Sequence, residues 1–198
     1  MRLGHELVRD RFVEVWGVGG GFGFGPAGGG HVYWYCFEAV YEDTPLPEQP
    51  KQDFLRRYGG WFAPIPDLIE ATDPERIAPA LTYDRPPLRG WGRGLVTLLG
   101  DAAHPMKPNL GQGAAQALED AVVLGECLSR SGAVEPALRD YERQRERRTA
   151  AVVRSSRQAV RAAELGSPLA ARLRDGALRL LPDRLALAQQ RRLLEFPF

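Results

Sequence analysis

Leu95–Ala121 reads LVTLLGDAAHPMKPNLGQGAAQALEDA. Its first five residues form a continuous apolar run rich in branched side chains, the composition of a strand buried on both faces of a parallel sheet. Gly100-Asp101 ends the run and puts a carboxylate at the strand's C-terminal edge, where α/β sheets hold their ligands. Pro105 and Pro108 stiffen the next loop, and Gly111-Gln112-Gly113 opens a helix. Asp101 suits the hydroxyls of a sugar or sugar alcohol. Helix N-terminal amides favour an anionic or electron-rich atom. Gly111 and Gly113 let a ligand approach the backbone closely. The stretch therefore describes a cradle for a molecule with a polyol at one end and a planar electron acceptor at the other, as riboflavin has in its ribityl chain and ring.

Outside this stretch the sequence narrows the class. The 198 residues are 44% hydrophobic and 26% charged, a balance that belongs to a globular chain rather than a disordered one. A net charge of +1 leaves no basic excess for a phosphate backbone, so nucleic acid is excluded as the main partner. Cys36 and Cys127 lie far apart without CxxC spacing, which predicts a reducing cytoplasm and neither disulfide nor zinc framework. No run approaches the roughly 20 apolar residues that span a bilayer. Met1–Phe12 has mixed charge and no apolar centre, unlike a signal peptide. Lysine occurs only at Lys51 and Lys107, so arginine supplies nearly all the positive charge, a pattern we ascribe to genomic composition.

In chain order, Phe12–Trp16 is strand-like. Gly17–Gly30 holds nine glycines in fourteen residues and includes a literal G-x-G-x-x-G over Gly23–Gly28. A dinucleotide fingerprint needs a strand before it and a helix after it. Here the aromatic, β-branched run His31–Phe37 comes next, so the tract is expected to be a glycine-rich connection between antiparallel strands. With a period of two, Tyr33, Tyr35 and Phe37 share one face and Trp34 and Cys36 the other. Such a face can be a substrate wall, although plain core is the commoner use. Helices are expected over Lys51–Tyr58, stopped by Gly59-Gly60, and over Ile65–Ala71, with a further turn at Thr72–Ile77. The helix from Gln112 should bury an apolar face of Ala117, Leu118, Ala121, Val122, Leu124 and Leu128. A long helix is expected over Glu135–Glu164, then shorter ones over Pro168–Leu181 and Asp183–Leu194. The arginines of these last helices read as a solvated face with local pairs such as Asp140 with Gln144, because no aromatic platforms interleave with them.

No G-x-S-x-G elbow, P-loop or metal-ligand spacing is present, so any chemistry belongs to the cradle and its ligand. Gly100-Asp101-Ala102-Ala103-His104-Pro105, Pro108, Gly111-Gln112-Gly113 and Ala117-Leu118-Glu119-Asp120-Ala121 resemble the second flavin motif of single-component FAD-dependent aromatic monooxygenases. These are the salicylate and hydroxybenzoate hydroxylases and the zeaxanthin-epoxidase-like enzymes. Glu14–Gly17, Val32–Tyr35, Asp84-Arg85-Pro86, Trp91–Gly94 and Tyr141–Arg145 extend the resemblance over most of the chain from Phe12.

The resemblance implies an α/β (α+β) fragment: the C-terminal portion of a Rossmann-like FAD/NAD(P)-binding domain, part of an antiparallel-sheet substrate domain, and C-terminal helices. Residues 1–80 would be the end of the substrate domain, 81–131 the flavin-ring end of the FAD domain, and 132–198 the terminal helices. Gly100 and Asp101 would meet the ribityl chain, with Asp101 on a hydroxyl. The amides around Gly111, Gln112, Gly113 and Ala114 would face the pyrimidine edge. Pro108 would lie beside the ring, the one residue near the reacting centre, with no acid or base assignable and no metal. His104 is expected to be a loop residue bonded to backbone. NAD(P)H would reduce the flavin, and one oxygen atom of O2 would pass to an aromatic, polyketide-like or isoprenoid small molecule, with the cofactor supplying the chemistry. Family members also begin with a βαβ unit that holds the pyrophosphate, and no such unit occurs here. The expectation is an N-terminally truncated, cytoplasmic chain that binds FAD weakly or not at all alone and is inactive by itself. Alternatively, a Rossmann-containing partner completes it in trans, or it is a non-catalytic interaction subunit.

Overall fold

The computed structural model describes residues 11–40, 43–182, 184, 191 and 195. The expectations for the first ten residues, and most of that for Asp183–Leu194, lie outside them. The chain divides into two compact units. The first ends at Leu81 and takes in Ala163–Leu173; the second comprises Thr82–Ala162 and the residues from Arg174.

The first unit is built on a three-stranded antiparallel sheet, β1 (Val13–Trp16), β2 (Gly20–Gly28) and β3 (His31–Glu38), in that spatial order. The glycine tract is thus not a connection, as its composition suggests, but mostly the central strand. Only Gly28, Gly29 and Gly30, all at positive φ, make the turn into β3. The reason lies in the alternation. Phe22 and Phe24 point to one face and are fully buried, while Gly21, Gly23 and Gly25 point to the other. Over those three glycines lie the rings of Phe37, Tyr35 and Phe12, which a Cβ at each position would strike. Aromatic cover compensates the missing side chains of a glycine strand. The period-of-two reading of β3 holds. Trp34 stacks on Phe22 at 5.2 Å on the core side, and Tyr33, Tyr35 and Phe37 share the opposite face with Phe12.

Helices α1 (Pro50–Tyr58) and α2 (Ile65–Ala71) close the core side of the sheet, where Tyr58, Ile65, Leu68 and Ile69 pack with Phe22 and Phe24. Both helices start at a proline in the first turn, where its missing N–H costs nothing. The Thr72 hydroxyl accepts a hydrogen bond from the Trp34 indole at 2.8 Å, tying the end of α2 to β3. Asp73 accepts from the Glu75 amide and caps the expected turn at Pro74–Arg76.

The second unit is helical around an irregular loop. It contains α3 (Gly113–Arg130) and most of α4 (Val134–Ala163); α5 (Pro168–Leu180) comes after it in the chain. The expected buried strand at Leu95–Leu99 is absent. The segment makes one isolated bridge, Arg93 with Val96, and Leu95 and Val96 are 72% and 67% exposed. No second strand pairs with it among the described residues. Side chains of α4 hold its carbonyls instead: Arg139 donates to Gly92 O and Val96 O, and the Tyr141 hydroxyl donates to Leu98 O at 3.2 Å. Val96 and Leu98 are two residues apart, so one edge of an extended chain is satisfied without a neighbouring strand.

Helix α3 also departs from its pattern. Its buried residues are Gln116, Asp120, Val123 and Cys127, whereas Leu118, Val122 and Leu128 are exposed. The face turned inward is half polar because it meets charged partners on α4. Cys36 and Cys127 are both free thiols, the first half-buried and the second buried.

The glycine strand yields a direct test. Gly23→Ala drives a Cβ into the Tyr35 ring and should lower stability by about 1–3 kcal/mol, read by thermal or urea denaturation. In a Tyr35→Ala background the same substitution should cost markedly less.

Candidate functional site: an exposed carboxylate at the start of a glycine-led helix

The cradle residues all lie in the second unit. Gly100 adopts φ +59° and opens a single 3-10 turn over Gly100–Ala102. A Cβ there would stand 3.3 Å from Ala117 Cβ on α3, so glycine is required by backbone conformation and by close packing together. Its amide donates to Asp120 Oδ2 at 2.9 Å. Gly100 is therefore occupied in shaping the turn. The next residue, Asp101, is exposed, and its carboxylate has no hydrogen-bond or ion-pair partner among the described residues.

Pro108 is exposed and starts a second 3-10 turn, Pro108–Leu110, whose C-cap Gly111 is left-handed at φ +61°. The Gly111 amide donates back to Pro108 O at 2.8 Å. That closes the turn and leaves the Gly111 N–H unavailable to a ligand. Helix α3 begins two residues later, with buried Gln112 at its N-cap and no side chain capping it. The Gln116 amide bonds Gln112 O at 2.9 Å, so the amides of Gly113, Ala114 and Ala115 precede the first helical bond and lack intrahelical acceptors. A Cβ at Gly113 would stand 4.0 Å from Asp101 Oδ1 and 4.0 Å from Met106 Cγ. Asp101, Met106 and the start of α3 thus face one small volume that glycine leaves open. Hydroxyl donors can bond the carboxylate there while an electron-rich acceptor meets the uncapped amides, which fits the two ends of a flavin's ring-and-ribityl portion.

Beside this volume lies a group of residues to which the sequence alone assigns no role. Asp120 is fully buried. Besides the Gly100 amide, its carboxylate accepts from His104 Nε2 at 2.6 Å and from Arg145 Nε at 2.6 Å. Arg145, itself 1% exposed, also donates to Glu119 Oε2, Gln116 O and Gln116 Oε1. Arg148 makes a two-pronged bond to Glu119. Two guanidinium groups thus face two carboxylates, and nearly every lone pair and N–H is used, the condition under which buried charge is tolerated. Burial works to raise the Asp120 pKa, but the bonds from His104, Arg145 and Gly100 outweigh it and hold the carboxyl below its ordinary range. Glu119 is likewise pulled down by Arg148 and Arg145 against the effect of burial. Burial first, then the Asp120 charge, pushes the Tyr141 hydroxyl up.

His104 does not bond backbone through its ring, as expected of a loop histidine; it pairs with Asp120. An ionised Asp120 carboxylate can only accept, so Nε2 is the donor in this pair, and Nδ1 has no hydrogen-bond partner among the described residues. On the other side of the loop, Arg85 donates to Ala102 O and Ala103 O. In the sequence His104, Glu119, Asp120 and Arg145 stand inside the runs Gly100–Pro105, Ala117–Ala121 and Tyr141–Arg145 that carry the resemblance, without any sign that they meet. Arg145 is hidden among the many surface arginines of α4. Gln144 with Asp140 does form the local pair expected there.

Comparison with known proteins bears on this geometry. Residues 20–156 match the FAD binding domain family model. The chain belongs to this FAD-binding family. It is 39% identical over 188 residues to aurachin C monooxygenase/isomerase of Stigmatella aurantiaca, a match covering 95% of this chain and 49% of that protein. Chloroplastic zeaxanthin epoxidase of Solanum lycopersicum is 40% identical over 136 residues, covering 63% of this chain and 20% of the epoxidase. Among solved structures, Klebsiella pneumoniae HpxO complexed with FAD and uric acid superposes with a TM-score of 0.84 at 28% identity, over 95% of this chain and 49% of that one. A salicylate hydroxylase substrate complex gives a TM-score of 0.67 at 26% identity, over 93% and 49% respectively. The chain spans about half the length of the FAD-family proteins it resembles over nearly all of its own residues. Among the described residues, no helix is long and apolar enough to cross a membrane, and no cluster of metal-ligating side chains occurs.

Replacing Asp120 by Ala leaves Arg145 buried without its main counter-charge and should cost about 3–5 kcal/mol, measured by denaturant titration. Because the Asp120 pKa is depressed in the fold, its contribution is present above the unfolded value of about 3.9 and is lost as pH falls through the lower folded value. The wild type should therefore lose stability on acidification in that window, and the variant should show a flatter acid limb.

Proposed function

We propose that these residues form the flavin-ring end of the FAD site of a monooxygenase. The observation that carries the reading is the meeting of the unpaired Asp101 carboxylate and the uncapped α3 N-terminus on the volume beside Gly113. Asp101 would accept a hydrogen bond from a ribityl hydroxyl. Gln112, Gly113 and Ala114 would offer their amides to the electron-rich edge of the ring, and the α3 dipole would stabilise negative charge there. Gly100 and Gly111, whose amides are already bonded, would set the backbone on either side of the ligand. Pro108 would stand beside the ring as a rigid wall. Bound FAD supplies the redox chemistry that links NAD(P)H, O2 and substrate; the chain's own residues bind, orient and keep water away.

The substrate we propose is a planar, electron-rich small molecule, aromatic, polyketide-like or isoprenoid. Two relatives support this class: the aurachin C enzyme and zeaxanthin epoxidase are both oxygen-inserting by name.

Among the described residues the pyrophosphate and adenosine of FAD find no counterpart, since the G-x-G-x-x-G of Gly23–Gly28 lies in the paired strand β2. We infer that a βαβ nucleotide-binding segment outside these residues, on a longer chain or on a second polypeptide, completes the site. Exposed Leu95 and Val96, and Leu118 and Val122 on α3, are the apolar positions such a segment would cover. The test is a flavin titration of the 198-residue chain, monitored by visible absorbance, with and without the completing segment. Weak binding alone and FAD-dependent NAD(P)H oxidation when completed are expected. Near-full flavin occupancy by the chain alone would overturn the half-site reading, and no binding in the completed protein would overturn the FAD reading itself.

A further inference from the structure

The turn that presents Asp101 is held at both ends by one buried atom. Asp120 Oδ2 accepts from the Gly100 amide at the entry of the turn and from His104 Nε2 at its exit. Backbone bonds close the same turn from within, Ala103 N and His104 N both donating to Gly100 O at 2.9 Å. Asp101 is the residue between these anchors whose side chain leaves the turn for the open volume beside Gly113. Asp120 and Gly113 belong to the same helix, α3. The carboxylate that grips the turn and the amides facing the ligand are therefore fixed in one rigid frame.

We propose that Asp120, acting through Gly100 and His104, is the positioning residue that aims Asp101 at the ribityl chain, and so sets how strongly the site discriminates flavins by their ribityl hydroxyls. Arg145 keeps the Asp120 carboxylate charged and oriented through Oδ1, leaving Oδ2 free to take both loop donors. The inference rests on the flavin reading above, and it adds a role for residues that do not touch the ligand. A merely structural role would lower stability and weaken every ligand alike. A positioning role weakens only the ligand that Asp101 reaches, and does so through Asp101.

The experiment measures the affinity of the whole flavin-binding protein for riboflavin and for lumiflavin, which lacks the ribityl chain, by fluorescence titration. Because Asp120→Asn can fail to fold with Arg145 buried beside it, the working variant is His104→Leu. It removes one of the two loop anchors while keeping bulk. His104→Gln, whose amide can donate to Asp120, is the rescue. The Asp101→Ala variant should lose about tenfold or more for riboflavin, the worth of one hydrogen bond to a charged group, and nothing for lumiflavin. His104→Leu should show a similar riboflavin-selective loss, His104→Gln should recover most of it, and the Asp101→Ala/His104→Leu double variant should be no worse than Asp101→Ala alone. Equal losses for both flavins, or losses that add in the double variant, would overturn the positioning role and leave the flavin site standing. If Asp101→Ala leaves riboflavin affinity unchanged, the assignment of Asp101 fails, and this inference with it.

Discussion

The second unit depends on the buried carboxylate of Asp120. An ionised group with no exposure is intolerable unless its oxygens are fully bonded, and here three donors from three parts of the chain satisfy it: the Gly100 amide, His104 and Arg145. That requirement fixes the second unit more sharply than its apolar contacts do. It selects the inward face of α3, sets which arginine of α4 goes inside, and dictates the left-handed Gly100. Interactions of this kind add little net stability, because desolvation offsets much of their attraction. Their effect is to make one arrangement of loop and helices far better than its neighbours.

The first unit answers a different constraint with a different means. A strand of alternating glycine and phenylalanine has a fully occupied face and an empty one. Core packing fills the first with Trp34, Tyr58 and the α2 aliphatics. Rings from Phe12, Tyr35 and Phe37 lie over the second. The sheet thereby gains an outer surface of aromatic carbon. Burial pushes the Tyr35 hydroxyl up, and its bond to Glu14 adds to the effect. The Glu14 carboxylate is thus shared between Tyr35 and the Trp16 indole, leaving an aromatic face whose charge is already engaged.

Much of this is legible in the residues alone. The helices at Lys51–Tyr58, Ile65–Ala71 and Glu135–Glu164 arise from apolar spacing, prolines in first turns and terminating glycines, all of which act within a few residues. The rejection of the dinucleotide fingerprint is equally local: the run after the glycines is β-branched and aromatic, and no helix amides await a pyrophosphate. The flavin-like motif is legible as a resemblance because Gly100–Pro105, Pro108 and Gly111–Gly113 match the family's residues in type and order. The elements that differ from expectation depend on partners distant in sequence. Leu95–Leu99 has the composition of a buried strand, but pairing requires a neighbour, and side chains of Arg139 and Tyr141 take its carbonyls instead. The apolar stripe of α3 is real in sequence yet faces outward, since Asp120 and Gln116 must reach Arg145.

By itself, then, the sequence determined the elements whose causes are short-range: helix limits, the strand-like aromatic run after the glycines, and the residues from Gly100 to Gly113 whose resemblance points to the FAD-binding family. Tertiary structure alone decided which of those groups are available and which are spent. The Gly100 and Gly111 amides are consumed in shaping turns, the Asp101 carboxylate is left open, and a histidine and an arginine without evident roles are drawn onto Asp120. The physical reason is that a hydrogen bond or a buried charge is satisfied by whatever lies beside it in space. Residues 25 positions apart, such as Asp120 and Arg145, carry no sign in their spacing that they will meet.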